Sequence, residues 1–93
     1  MKNKKDFFSY LGLSSIEIDE LEKKCPGLRL ADTKNIVNCV FTVIKNGYPF
    51  DDITSLILIN PYFLLDTPEG LDKKITALGD NFIEKIKLNP KLL

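Results

Sequence analysis

The sequence predicts an all-α fold: a short array of helical-hairpin repeats with proline-led turns and about five main helices. Three observations carry that expectation. Apolar residues recur at three- and four-residue spacings along most of the chain, the period of a helix with one buried face. Cap and breaker residues bracket each such stretch. A proline also closes an apolar run at Cys25-Pro26-Gly27-Leu28-Arg29-Leu30, at Asn60-Pro61-Tyr62-Phe63-Leu64-Leu65 and at Asn89-Pro90-Lys91-Leu92-Leu93, each time followed by leucines.

Taken in order, Phe7, Phe8, Tyr10 and Leu11 give a short opening helix from Lys4 to Leu11 its apolar stripe. Gly12 suits a left-handed cap. Ser14-Ser15-Ile16-Glu17 reads as a capping box, in which Ser14 caps and Glu17 reaches back to it. Leu13 and Ile18 suit a hydrophobic staple; Ile18 and Leu21 point inward, and Lys23 and Lys24 suit the negative end of the helix dipole. Pro26 stops this helix, because the residue before a proline is pushed out of the helical region. The next helix is capped by Asp32 or Thr33 and carries Ile36, Val37, Val40, Val43 and Ile44 on one stripe, widened by Cys39 and Phe41. Its β-branched residues make a strand the competing assignment, but its length and regular spacing favour helix. Asn46-Gly47 ends it.

Beyond Tyr48-Pro49-Phe50-Asp51-Asp52, a helix from Ile53 to Ile59 is apolar on most sides, the mark of a central helix. Thr67-Pro68-Glu69 opens another, with Leu71, Ile75 and Leu78 as its stripe and Gly79 as its stop. Asp80 is the expected cap of a last helix, which carries Phe82, Ile83 and Ile86 and ends at Asn89-Pro90.

Pro26 and Pro61 stand 35 positions apart, and Pro61 and Pro90 stand 29 apart. At the first offset Ile18 matches Ile53, Leu21 matches Leu56 and Leu28 matches Phe63. The unit is a glycine turn, a helix, a proline break, a short hydrophobic turn and a longer helix. Residues 1–93 therefore read as one all-helical domain of two repeats plus a partial third. Proline's fixed φ can open a tight turn where its missing amide hydrogen costs nothing. Asn60 and Asn89 are expected to cap such turns, and Leu64 and Leu65 to fold back together as a plug between neighbouring helices.

These junctions, together with Leu11-Gly12-Leu13-Ser14, Asn46-Gly47-Tyr48-Pro49 and Leu78-Gly79, resemble the mitochondrial transcription termination factor family. Repeats of that family, about thirty residues long, combine two helices with a proline-led turn and a Pro-x-Leu-Leu signature. The resemblance implies a stacked-helix fold and nucleic-acid binding on a basic concave face; it implies no catalytic or cofactor residues. The chain departs from the family in holding fewer repeats and in carrying a single arginine, Arg29.

Composition narrows the function further. A chain with 44% hydrophobic and 28% charged residues is too apolar for disorder. No apolar run approaches the roughly 20 residues a membrane span needs, so no membrane partner is expected. The basic start resembles that of a signal peptide, but Asp6 interrupts it and no small-residue cleavage site follows; the expected location is cytoplasmic. Cys25 and Cys39 lack metal-site spacing, and with no histidine in the chain no metal, cofactor or His-based triad is expected. The chain reads as no enzyme.

Net charge is zero, from 13 basic and 13 acidic residues, which argues against a dedicated phosphate binder. The leading reading is therefore a regulator or adaptor that binds another protein through a helical-repeat surface. Its candidate residues are Glu17 and Glu20 on an acidic helix face, with Tyr48, Phe50 and Tyr62 beside the turns. The plainer reading makes those acids a solvated face and those aromatics core plugs. The alternative reading is nucleic-acid binding through Lys23, Lys24, Arg29, Lys73, Lys74, Lys85 and Lys87. Lys2, Lys4 and Lys5 read as a frayed, solvating end. Self-association through the terminal repeats is a further expectation.

Overall fold

Helix ends in this chain form where the cap chemistry puts them. In the computed structural model, which describes residues 3–93, Ser14 Oγ accepts from the Glu17 amide while Glu17 Oε1 accepts from the Ser14 amide. That capping box starts α2 (Ser15–Lys24), which follows α1 (Lys4–Leu11) across Gly12 in the left-handed region at φ 107°. Asp32 caps α3 (Thr33–Lys45), which stops before Gly47, again left-handed at φ 111°. α4 (Ile53–Ile59) is short. α5 (Pro68–Leu78) begins with Thr67 as cap and Pro68 in its first turn, and α6 (Phe82–Leu88) is the last α-helix. Among the described residues there is no strand, so the fold is all-α. The expectation for Lys2 lies outside the described residues.

Each proline junction has the same backbone. Cys25 (φ −131°, ψ 78°), Asn60 (−136°, 75°) and Asn89 (−144°, 87°) leave the helical region just before their prolines. A 3-10 turn follows each, at Pro26–Arg29, Pro61–Leu65 and Pro90–Leu92. A fourth 3-10 turn, Phe50–Asp52, leads into α4.

α2, α4 and α6 lie side by side and point the same way. At one end Thr54 approaches Gly12 and Ile83 approaches Gly47; at the other, Lys24 reaches the Leu58 and Ile59 carbonyls and Asn60 reaches the Pro90 carbonyl. α3 and α5 form a second layer, also parallel. Asn35 and Cys39 donate to the Asp66 carbonyl near their starts, and Asn46 donates to Asp72 further along. The Pro61–Leu65 turn touches both α3 and α4, which buries Phe63 and Leu64 completely. Buried apolar residues from all six helices join in one cluster.

Several expectations change. α3, with Ile36, Cys39, Val40 and Val43 fully buried, is the central helix; α4 is too short to be enclosed and leaves Ile59 half exposed. Leu65 is not a plug, being 42% exposed. A 3-10 turn repeats every three residues, so Pro61 and Leu64 share its inner face while Tyr62 and Leu65 share its outer one. Asn60 does not cap its own turn, although Asn89 does, through Oδ1 and the Lys91 amide. Asn81 rather than Asp80 precedes α6, and no side chain caps that helix. Phe41 is half exposed, its ring 6.3 Å from that of Phe7. Lys4 is not a frayed end, since its ammonium holds the Arg29 and Ala31 carbonyls at 2.6 and 2.7 Å. Among the described residues, no helix is long and apolar enough to cross a membrane.

Candidate functional site

The proline junctions meet along one edge of the molecule, which holds the candidates Lys24 and Tyr62. Hydrogen bonds stitch it together. Lys24 Nζ donates to the Leu58 and Ile59 carbonyls at 3.1 and 3.0 Å, covering acceptors that the end of α4 leaves open. Tyr62 returns the link by donating its hydroxyl to the Lys24 carbonyl at 3.0 Å. Leu65 lies over Gly27, and Asn60 Nδ2 donates to the Pro90 carbonyl at 2.8 Å. Outside this stitching stand the half-exposed side chains of Ile59, Tyr62 and Leu65.

The candidate cations are largely committed to partners within the fold. Lys24 is engaged as described, Arg29 pairs with Glu22 at 3.0 Å, and Lys85 donates to the Leu78 carbonyl at 2.7 Å. Lys74 lies 3.0 Å from Asp66 Oδ2 and also donates to the Leu93 carbonyl. Lys87 pairs with Asp52 at 2.9 Å, an interaction that raises its pKa. Lys23 and Lys73 are exposed, with no such bond among the described residues.

The protein-binding candidates also divide. Tyr48 belongs to the core; burial raises its pKa, with Asp52 adding to the rise. Glu17 is engaged in the capping box, whereas Glu20 is exposed. Phe50 is half exposed and meets the ring of Tyr10 edge-on, with centroids 6.5 Å apart. Tyr10 and Ile59 are also exposed apolar side chains.

Burial works against the thiolate form of both cysteines. Burial pushes the Cys39 thiol up to about 11, with Asp66 and Glu69 adding to the rise, and burial raises Cys25 against an opposing hydrogen bond from the Leu28 amide. Both are poor nucleophiles at neutral pH, since the thiolate is the reactive form. At Asp66 the hydrogen bond from Lys74 lowers the carboxyl pKa against the opposing effect of burial, and the Thr67 amide adds to the lowering. A cleft of about 250 Å³ lies between α1 and the first turn, floored by Phe8 and Leu28 and rimmed by Lys4, Lys5, Glu22 and Arg29. Lys4, Glu22 and Arg29 are already bonded within the fold. Comparison with protein families, curated proteins and solved structures gives no match.

Proposed function

We propose that the chain is a non-enzymatic regulator or adaptor, a short array of helical-hairpin repeats that binds another protein through its helical-repeat surface. One observation carries the reading: Lys24, Arg29, Lys74, Lys85 and Lys87 hold partners inside the fold, while Tyr10, Phe50, Ile59 and Tyr62 stand on the surface. Aromatic and aliphatic anchors of this kind carry most of the energy of protein interfaces. The array arrangement is supported by the shared backbone of the three junctions and by the parallel order of α2, α4 and α6. The test is affinity capture from the native host with the wild type and with Phe50→Asp and Ile59→Asp. Capture of one stable protein partner, lost in either variant while melting temperature is kept, is the expected result. Recovery of nucleic acid without a protein overturns it.

The second reading, a nucleic-acid-binding module like the mitochondrial transcription termination factors, retains Lys23 and Lys73 as exposed cations. It requires binding to duplex or single-stranded nucleic acid that weakens steeply with salt. No binding at low salt removes it.

A further inference from the structure

We propose that a second copy of this chain docks against the α6 side, so that copies stack head to tail through the two kinds of contact that join neighbouring junctions within one chain. The geometry rests on the array reading given above. Within the chain each gap between neighbouring junctions shows one of these contacts. Asn60, the residue before a proline, donates Nδ2 to the carbonyl of the neighbouring proline, Pro90. Leu65, four residues after a proline, lies over Gly27, which follows the neighbouring Pro26; a Cβ there would stand 3.1 Å from Leu65 Cδ1.

One half of each contact recurs, the two on opposite sides of the molecule, without a partner among the described residues. Asn89 holds the Asn60 position with nearly the same backbone; its Oδ1 accepts from the Lys91 amide, and its Nδ2 makes no bond among the described residues. Leu88 beside it is 88% exposed. Leu30 holds the Leu65 position, four residues after Pro26, and is 94% exposed. A single exposed leucine is ordinary on a protein surface; what sets Leu30 and Leu88 apart is their place at the two unmatched junction positions.

With the first turn of one copy against the α6 side of another, the Pro26 carbonyl comes to Asn89 Nδ2. Leu30 then covers the aliphatic stem of Lys91, the residue after Pro90, much as Leu65 covers Gly27. Asp32, two residues beyond Leu30, brings a carboxylate toward the Lys91 ammonium. The two halves occupy different faces, so the contact is heterologous and extends from copy to copy.

Sedimentation velocity over a rising protein concentration tests the proposal. The wild type is expected to grow past the mass of a dimer. Leu30→Asp changes a side chain that touches little, and Asn89→Asp keeps the Oδ1 cap while removing the donor. Each variant is expected to stay monomeric with unchanged helicity. Mixed, they are expected to form a heterodimer and nothing larger, because each retains the half that the other lacks. A monomeric wild type, single variants that associate like the wild type, or a mixture that stays monomeric overturns the stacking. An Asn60→Asp variant that melts like the wild type would overturn the array reading and this proposal with it; a destabilised Asn60→Asp beside a monomeric wild type overturns the stacking alone.

Discussion

Leu64 and Leu65 are neighbours with the same side chain and opposite surroundings. Leu64 is fully buried; Leu65 is half exposed and rests on Gly27. Truncating Leu64 to alanine leaves a cavity in the core, and the expected loss is about 2–5 kcal/mol. Leu65→Ala removes only partly covered surface, with an expected loss of about 1 kcal/mol. Urea unfolding of both variants checks the contrast, and equal losses would contradict it. The motif itself was legible in the sequence, but the face each leucine takes was not. That face depends on whether the turn repeats every three residues or every 3.6, which the leucines do not encode. Asn60 teaches the same lesson. Its type suggested a cap for its own turn, and the fold uses it instead to reach the next one. Asn60→Asp leaves the Pro90 carbonyl without its donor and places a carboxylate in a buried position. The expected loss is about 1–3 kcal/mol, or roughly 4–8 °C of melting temperature per kcal/mol in a domain of this size. Asn89→Asp, whose Nδ2 bonds nothing among the described residues, is expected to melt like the wild type as a monomer.

Elements were the most legible scale. Ser14 with Glu17, Asp32, Gly47, and Thr67 with Pro68 each fixed a helix end as local chemistry requires. The exception is α6, whose start has no side-chain cap, so Asp80 and Asn81 gave no reliable local signal. What individual elements hide is how they are tied together. α5 is joined to Asp66, two residues before its start, by the Asp66–Lys74 pair, and through Lys74 to the Leu93 carbonyl. The folded state lowers the Asp66 pKa, so the unfolded chain binds this proton more tightly. Asp66 therefore contributes stability above its unfolded value near 3.8, and that contribution is lost as pH falls through the lower folded value. Urea midpoints measured down this acid range are expected to fall more steeply for the wild type than for Asp66→Asn. Parallel curves would remove the linkage.

At the scale of the whole molecule, charge neutrality in the sequence proved less informative than where the charges go. Of the lysines that suggested a phosphate-binding face, Lys24, Lys74, Lys85 and Lys87 hold carbonyls and carboxylates elsewhere in the chain, at separations a helix pattern cannot register. Lys24 and Tyr62 illustrate the consequence. Their bonds run in opposite directions across the same pair of neighbours, tying α2 to the end of α4 and to the turn that follows. On the array reading proposed above, stability is shared between the units and the contacts joining them, so weakening one rung affects the cooperativity of the whole. Tyr62→Phe removes one of these bonds without changing the ring, and Lys24→Met removes the ammonium while keeping an apolar stem. Both groups face solvent, so the expected combined loss is modest, about 1–2 kcal/mol. If α2 and α4 still unfold together, the urea midpoint of the double variant falls with an unchanged slope. If the rung is what couples them, the transition broadens and the apparent slope falls as well. A double variant that keeps both midpoint and slope would show that the packed layers alone hold the junctions in register.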